Sequence, residues 1–415
     1  MECDRDAGTA AGSHGTAGDT RDQRPLEGVR VVALEQAVAA PLATRHLADQ
    51  GATVTKVERV GGGDFARHYD TEVLGLASHF VWLNRGKESV ALDVKTRAGG
   101  EVLGALLERA DVFVHNLGPG SAANLGVDAG TAAATYPGLV AVEISGYGRS
   151  GPYKDRRAYD FLVQGEAGVV SVTGTPDSPA KSGIPIADIA AGMYAYSATL
   201  AALFRRERTG VGASVHVSML EALAEWMGHP LYMATYGGGA PPRTGTAHPA
   251  IVPYDAYPTA DGDLVLIGVQ NDREWERLAR QVLERPELLD DRELATNIGR
   301  ARNRERVDYL VTKVTSGLPT GELLTRLDEA SIAAGRLNSV AGLAEHPQLR
   351  ELGKWQDAGS PVGPLRMLSP PAMPDGVPPG HGAIPRLGEH TDTVLARLGY
   401  TSHQVARWRA DGVVA

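Results

Sequence analysis

One carboxylate in this sequence stands where chemistry is possible. In Ile184-Pro185-Ile186-Ala187-Asp188-Ile189-Ala190-Ala191-Gly192-Met193 a single aspartate falls where a loop gives way to a long apolar helical pattern. Ile189, Met193, Tyr196, Leu200 and Leu203 recur at alternating steps of four and three, the spacing of one buried helix face. Arg205, Arg206 and Arg208 ahead of Gly210 close that helix. Two roles suit Asp188. As an N-cap, it accepts a first-turn N–H and contributes about 1 kcal/mol. As a reactive group, it stays ionised at the positive end of a helix and acts as a nucleophile if its loop opens to substrate. Ala187, Ala190, Ala191 and Gly192 leave room for a bulky ligand beside it.

Other residue types mark possible binding surfaces. Arg59, Arg85 and Lys87 are placed to meet the phosphates of a large anionic cofactor, with ordinary solvated surface charge as the alternative. Arg149, Arg156 and Arg157 follow the turn Gly146-Tyr147-Gly148 and suit an acid with a second carboxylate, again with surface charge as the alternative. Gly237-Gly238-Gly239 begins a glycine- and proline-rich connection, and His248 follows it as a candidate for closing over substrate or as a plain surface or core histidine. The only cysteine, Cys3, lies near the N-terminus, which rules out a disulfide framework, a Cys-rich zinc site or a thiol nucleophile in the body of the chain. No metal is expected.

The elements that must position these residues alternate. Val29 to Leu34 reads as a strand, Pro41 to Gln50 as a helix ending at Gly51, and Thr53 to Glu58 as a second strand, a βαβ opening to a parallel sheet. Glu58 ends the second strand where a dinucleotide fold keeps its ribose-binding acid, but the first turn, Glu35-Gln36-Ala37-Val38-Ala39-Ala40-Pro41, lacks the G-x-G-x-x-G fingerprint, so no NAD is expected. Further strands are read over 89–94, 111–115, 139–145 and 214–217, with a helix over 98–110 and another over 219–227. A strand over 264–269 with helices over 272–283, 304–315 and 320–328 makes a small α+β domain. Proline-rich 370–385 reads as an extended crossing, and 391–398 as a terminal helix.

The expected organisation is therefore α/β. Residues 1–24 form a disordered tail, 25–222 a large Rossmann-like parallel-sheet domain, 223–340 a linker with the small domain, and 341–415 a return to the large one. At 415 residues and 43% hydrophobic composition, the chain can bury a sizeable core in two or three domains. A net charge of -9 argues against a general nucleic-acid binder. No apolar run is read as approaching the roughly 20 residues of a membrane span, and no signal peptide is seen at the N-terminus, so no membrane partner and a cytoplasmic location are expected.

Six blocks then occur in an order that carries a resemblance: Leu26-Glu27-Gly28-Val29-Arg30-Val31, Asn84-Arg85-Gly86-Lys87 with Leu92-Asp93, Asn116-Leu117-Gly118-Pro119-Gly120, Gly146-Tyr147-Gly148, the Asp188 stretch, and Leu387-Gly388-Glu389-His390-Thr391. The chain resembles the class III CoA-transferases from about Pro25 to its end. That resemblance implies an acyl-CoA:carboxylate CoA-transferase with Asp188 as nucleophile, working through aspartyl anhydride and aspartyl-CoA intermediates. It implies CoA contacts from Gln36, Ala37, Val38, Arg59 and Asn116-Leu117-Gly118, with Arg85, Lys87 and Tyr147 as further CoA-binding candidates. Gly237, Gly238, Gly239, His248 and Arg156 are the candidates on the substrate side. An interlocked homodimer is implied too, and a short or dicarboxylic acid is the expected acceptor. The racemase branch of the same fold is one alternative; where its His and Glu would align, this chain has Arg156 and Asn271, neither a base near neutral pH. A non-catalytic CoA-binding protein is the other.

Overall fold

Short β-branched runs separated by helices have one economical solution, a parallel sheet covered on both faces, and the first of two compact units adopts it. The computed structural model describes residues 24–380 and 382–415, so Cys3 and all but the last residue of the expected 1–24 tail lie outside the described residues. The first unit comprises the chain up to Arg157, Asp188–Ser218 and Trp355–Ala415; the second comprises Ala158–Ala187 and Met219–Lys354. This division differs from the one expected from sequence. Residues 158–187 and 341–354 group with the smaller unit, and the return to the large one begins at Trp355.

The sheet of the first unit contains β1 (Arg30–Leu34), β2 (Thr53–Glu58), β3 (Lys87–Ala91), β4 (Val112–His115), β5 (Val140–Ser145) and β6 (Ala213–Ser218). All pairs are parallel, in the order β3-β2-β1-β4-β5-β6. The order reverses between β1 and β4, and at such a switch point the following turns diverge and leave a crevice at the strands' carboxyl ends. Phe113, Leu103 and Leu107 pack on one face, joined there by Leu395 and Trp408 of the C-terminal return. The motif at 387–391 closes the β3 edge: the His390 N–H donates to Ser89 O at 2.9 Å, and the Ala91 N–H donates to Thr391 Oγ1 at 3.1 Å. An edge strand is thereby covered by the chain's own end.

The Asp188 helix runs over Ile186–Thr209. Its buried side is not the large-residue stripe expected from periodicity. Ala187, Ala190, Ala191, Ala195, Thr199 and Ala202 are buried together with Leu203, while Met193 is 37% exposed and Tyr196 and Leu200 are half-buried. Close backbone approach explains the inversion: a Cβ on Gly192 would lie 2.6 Å from Ala39 O, at the start of α1 (Ala39–Asp49), so only small residues fit that face. The helix also corrects the reading of apolar runs. By length and composition alone it could cross a membrane, and 44% of its most apolar window is buried.

The second unit holds β7 (Tyr254–Pro258), β8 (Leu264–Gly268) and β9 (Ala333–Arg336) as an antiparallel sheet in that order. Its core gathers Ile267, Trp275, Leu278, Val307 and Leu323 from β8 and the surrounding helices.

Candidate active site

The turns after β1 and β4 emerge side by side because those strands are neighbours, and one side chain ties them together. The Gln36 N–H donates to Asn116 Oδ1 at 2.9 Å while Asn116 Nδ2 donates to Gln36 O at 2.8 Å. Ala37 then takes a left-handed backbone, φ +60°, uncommon for a residue with a side chain. Its N–H donates to Asp64 Oδ1 at 3.0 Å. From Val38 the chain enters α1, whose N-terminus has no side-chain cap and is buried at Val38, Ala39 and Ala40. Leu117 packs against the main core, and Gly118 is exposed beside it. Arg59, exposed after β2, donates through Nε and Nη2 to Gly63 O at 3.2 and 3.1 Å.

Two cations expected at phosphates are elsewhere. Lys87 is buried, and its ammonium donates to Glu35 Oε1 at 2.7 Å, Pro41 O at 2.9 Å and Asn84 Oδ1 at 3.1 Å. Three donors with three protein acceptors leave nothing for a ligand. Arg85 is likewise buried, forming a two-pronged pair with Asp49 at 2.8 Å on each prong and donating to Leu368 O at 2.6 Å. Both readings are corrected: these are interior cations, held there because a buried charge must be paired. Burial pulls the Lys87 pKa down to about 7, with Glu35 resisting and Lys56 assisting. Burial also disfavours the Lys56 ammonium, but Glu35 at 3.2 Å and Asp64 at 2.8 Å outweigh it and hold its pKa above the ordinary lysine value.

Asp188 is half-buried and occupies the third helical position, so it is not the N-cap. The first-turn N–H of Ala187 is instead taken by Asp160 Oδ1 at 2.8 Å, a side-chain cap from a distant element. Immediately after Asp188, Ile189 packs against the cluster of Val38, Leu42 and Leu83. Ile189, next to Asp188, and the turn after β1 therefore pack together within the first unit. The chemistry available there is a carboxylate beside a helix N-terminus.

Tyr147 follows β5 and meets the Tyr153 ring edge-on at 5.4 Å, while the exposed Arg156 guanidinium lies 3.6 Å over the face of Tyr153. Asn271 caps the helix Asp272–Arg277 by accepting the Glu274 N–H at 3.0 Å, a structural duty. His248 and Gly237 to Gly239 belong to the second unit. The His248 ring does not hang on a loose loop: its Nδ1 accepts the Ala250 and Ile251 N–H groups at 3.1 and 3.0 Å, and the ring stacks on Tyr254 at 5.4 Å. Burial, and then the charges of His229 and Arg304, push its pKa below the ordinary histidine value. Among the described residues, no group of three or more His, Cys, Asp or Glu is arranged to hold a metal ion.

Sequence reasoning missed Glu35, Lys56, Asp64 and Asp160. A signal existed for two of them: Lys56 and Glu58 put opposite charges two residues apart on one face of β2, and Asp64 directly follows Gly61-Gly62-Gly63. Asp160 had none, since it acts on a residue 27 positions away.

The profile described as CoA-transferase family III matches residues 26–391. The chain is 35% identical to a succinate–glutarate CoA-transferase of Agrobacterium fabrum over 385 residues, covering 90% of this chain and 96% of that one. It is 32% identical to a succinyl-CoA:glutarate CoA-transferase of Mus musculus, covering 95% and 92% respectively. A solved CAIB/BAIF family protein from Brucella suis superposes with a TM-score of 0.79 at 33% identity, covering 90% of this chain and 99% of that one.

Proposed function

Because the chain belongs to CoA-transferase family III, and is thus an enzyme that moves CoA between an acyl-CoA and a carboxylic acid, we propose that Asp188 carries the transfer and that both acids are short dicarboxylates. The observation that carries the site is the packing of Ile189 on Val38 and Leu42, which sets the Asp188 turn against the turn that Asn116 clamps. In this reading CoA lies over the turns at 36–38 and 116–118. Its phosphates meet the exposed Arg59.

A carboxylate oxygen of Asp188 attacks the thioester carbonyl and expels CoA thiolate, leaving an aspartyl–acyl anhydride. The thiolate attacks the aspartyl carbonyl, which releases the donor acid as carboxylate and leaves an aspartyl-CoA thioester. The acceptor carboxylate attacks that thioester, expelling CoA thiolate and forming a second aspartyl anhydride; the thiolate then attacks the acceptor's acyl carbonyl, which yields the new acyl-CoA and restores the Asp188 carboxylate. Each step trades one activated acyl bond for another, so the thioester energy is conserved provided water is excluded. A dicarboxylate is favoured because the two relatives described above act on succinate or succinyl-CoA with glutarate, and because Arg156 stands exposed near Tyr147 with charge to offer. Arg156 and Asn271, a stacked cation and a helix cap, give the racemase chemistry no base. We further propose a homodimer: the helix Gly228–Tyr236 buries none of its own residues, and Leu231, Tyr232 and Tyr236 are exposed on it, an apolar surface that a second copy covers.

The test pairs succinyl-CoA with glutarate and adds hydroxylamine. The expected results are glutaryl-CoA formation and a hydroxamate on the peptide bearing Asp188. Transfer without any label on that peptide sinks the mechanism, and native mass spectrometry reads the dimer.

A further inference from the structure

Asp64 lies on no ligand surface. It is fully buried, yet it touches the turn on which the CoA-binding reading depends. One carboxylate oxygen accepts two backbone N–H groups, Ala37 at 3.0 Å and Ala66 at 2.9 Å; the other accepts Lys56 Nζ at 2.8 Å. Lys56 in turn reaches Glu35 at 3.2 Å, the residue that leads into the turn. The network holds the N–H of a left-handed Ala37 and the side chain of Glu35 two residues before it, and that conformation is disfavoured for any residue with a Cβ and kept only where the surroundings over-determine it.

We propose that Asp64 is a positioning residue for CoA: its buried carboxylate, held by Lys56, keeps Ala37 left-handed and so aims the 36–38 turn at the cofactor. The proposal rests on the reading that CoA lies on that turn. An asparagine cannot replace Asp64. Whichever way its amide is turned, an NH2 faces either the Lys56 ammonium or the Ala37 and Ala66 N–H groups, donor against donor. Ala37 then relaxes towards negative φ and the turn loses its preorganised shape, which costs cofactor affinity and not chemistry.

Steady-state kinetics with succinyl-CoA and glutarate test this, alongside calorimetric titration with CoA. Asp64→Asn should raise KM for succinyl-CoA about tenfold while leaving kcat and the glutarate KM within about twofold. Adding Ala37→Gly should recover part of the loss, since glycine reaches the left-handed region at no steric cost. A residue that merely supports the fold would lower active protein and kcat together and gain nothing from Ala37→Gly. Should Asp64→Asn not accumulate as folded protein, Ala37→Val makes the same point from the turn itself, because a β-branched residue resists positive φ and should raise the succinyl-CoA KM alone. Wild-type CoA affinity in Asp64→Asn, or in Ala37→Val, overturns the role of Asp64. Wild-type protein that takes up no CoA overturns the underlying reading as well, so the two failures are told apart.

Discussion

Asn116 and Gln36, eighty residues apart, hold each other by a reciprocal pair of hydrogen bonds, the Gln36 amide donating at 2.9 Å and the Asn116 side chain donating back at 2.8 Å. The pair locks the turn after β1 to the turn after β4 across the point where strand order reverses.

Asn116→Ala removes both bonds and should weaken CoA binding roughly tenfold by calorimetry, with kcat less affected. Asn116→Asp keeps the acceptor but sets a second oxygen against the Gln36 carbonyl, so it should bind no better than the alanine variant. Unchanged affinity in both variants would remove this clamp from the CoA site.

Asp188→Asn should be folded, bind CoA and be nearly inactive, because an amide cannot form the acyl anhydride. Asparagine keeps the size of aspartate and one acceptor oxygen, and Asp160 still takes the Ala187 N–H, so the thermal midpoint should shift by no more than a few degrees, the response to about 1 kcal/mol. Wild-type turnover, with deamidation excluded by mass, contradicts the assignment.

Gly192→Ala places a methyl 2.6 Å from Ala39 O, a backbone atom that cannot rotate away. Urea unfolding should show a loss of roughly 1–3 kcal/mol. Turnover should fall too, since the collision lies between the helix bearing Asp188 and the start of α1.

Arg85→Met should cost stability and spare the cofactor. It leaves Asp49 buried at 1% exposure with Arg45, at 3.1 Å, as its one remaining ion-pair partner among the described residues, a loss on the order of 3 kcal/mol. CoA affinity of the remaining folded protein should match wild type; a selective loss would return Arg85 to the ligand.

Acid should unfold the first unit through Glu58. Burial alone would raise its pKa, but the hydrogen bonds and charge of Arg67, with Lys56 and Ser89, bring it from an ordinary 4.5 to about 2. The folded value lies below the unfolded one, so this contribution is whole above about pH 4.5 and is lost as pH falls towards 2. It amounts to roughly 3 kcal/mol, and Glu58→Gln should flatten that part of the stability profile.

What the sequence by itself determined is the local order of elements. Thr53 to Glu58 is a strand, Arg304 to Thr315 and Thr391 to Leu398 are helices, and the βαβ opening is present, because side-chain periodicity and caps act over a few residues. The block motifs, too, were legible as residues in order. Tertiary structure decided which charges face ligand and which are interior. Arg59 and Lys87 look alike in sequence, yet one is exposed after β2 and the other is sealed against Glu35, since burial depends on what packs over a strand end. It also decided that the small side of the Asp188 helix goes inward, which periodicity of large residues could not report, because the deciding contact is Gly192 against a backbone oxygen of Ala39 more than one hundred and fifty residues earlier. Asp64 and Ala37 make the same point at the cofactor turn: a left-handed alanine carries no mark in the sequence, and the carboxylate that holds it is brought there only by the fold.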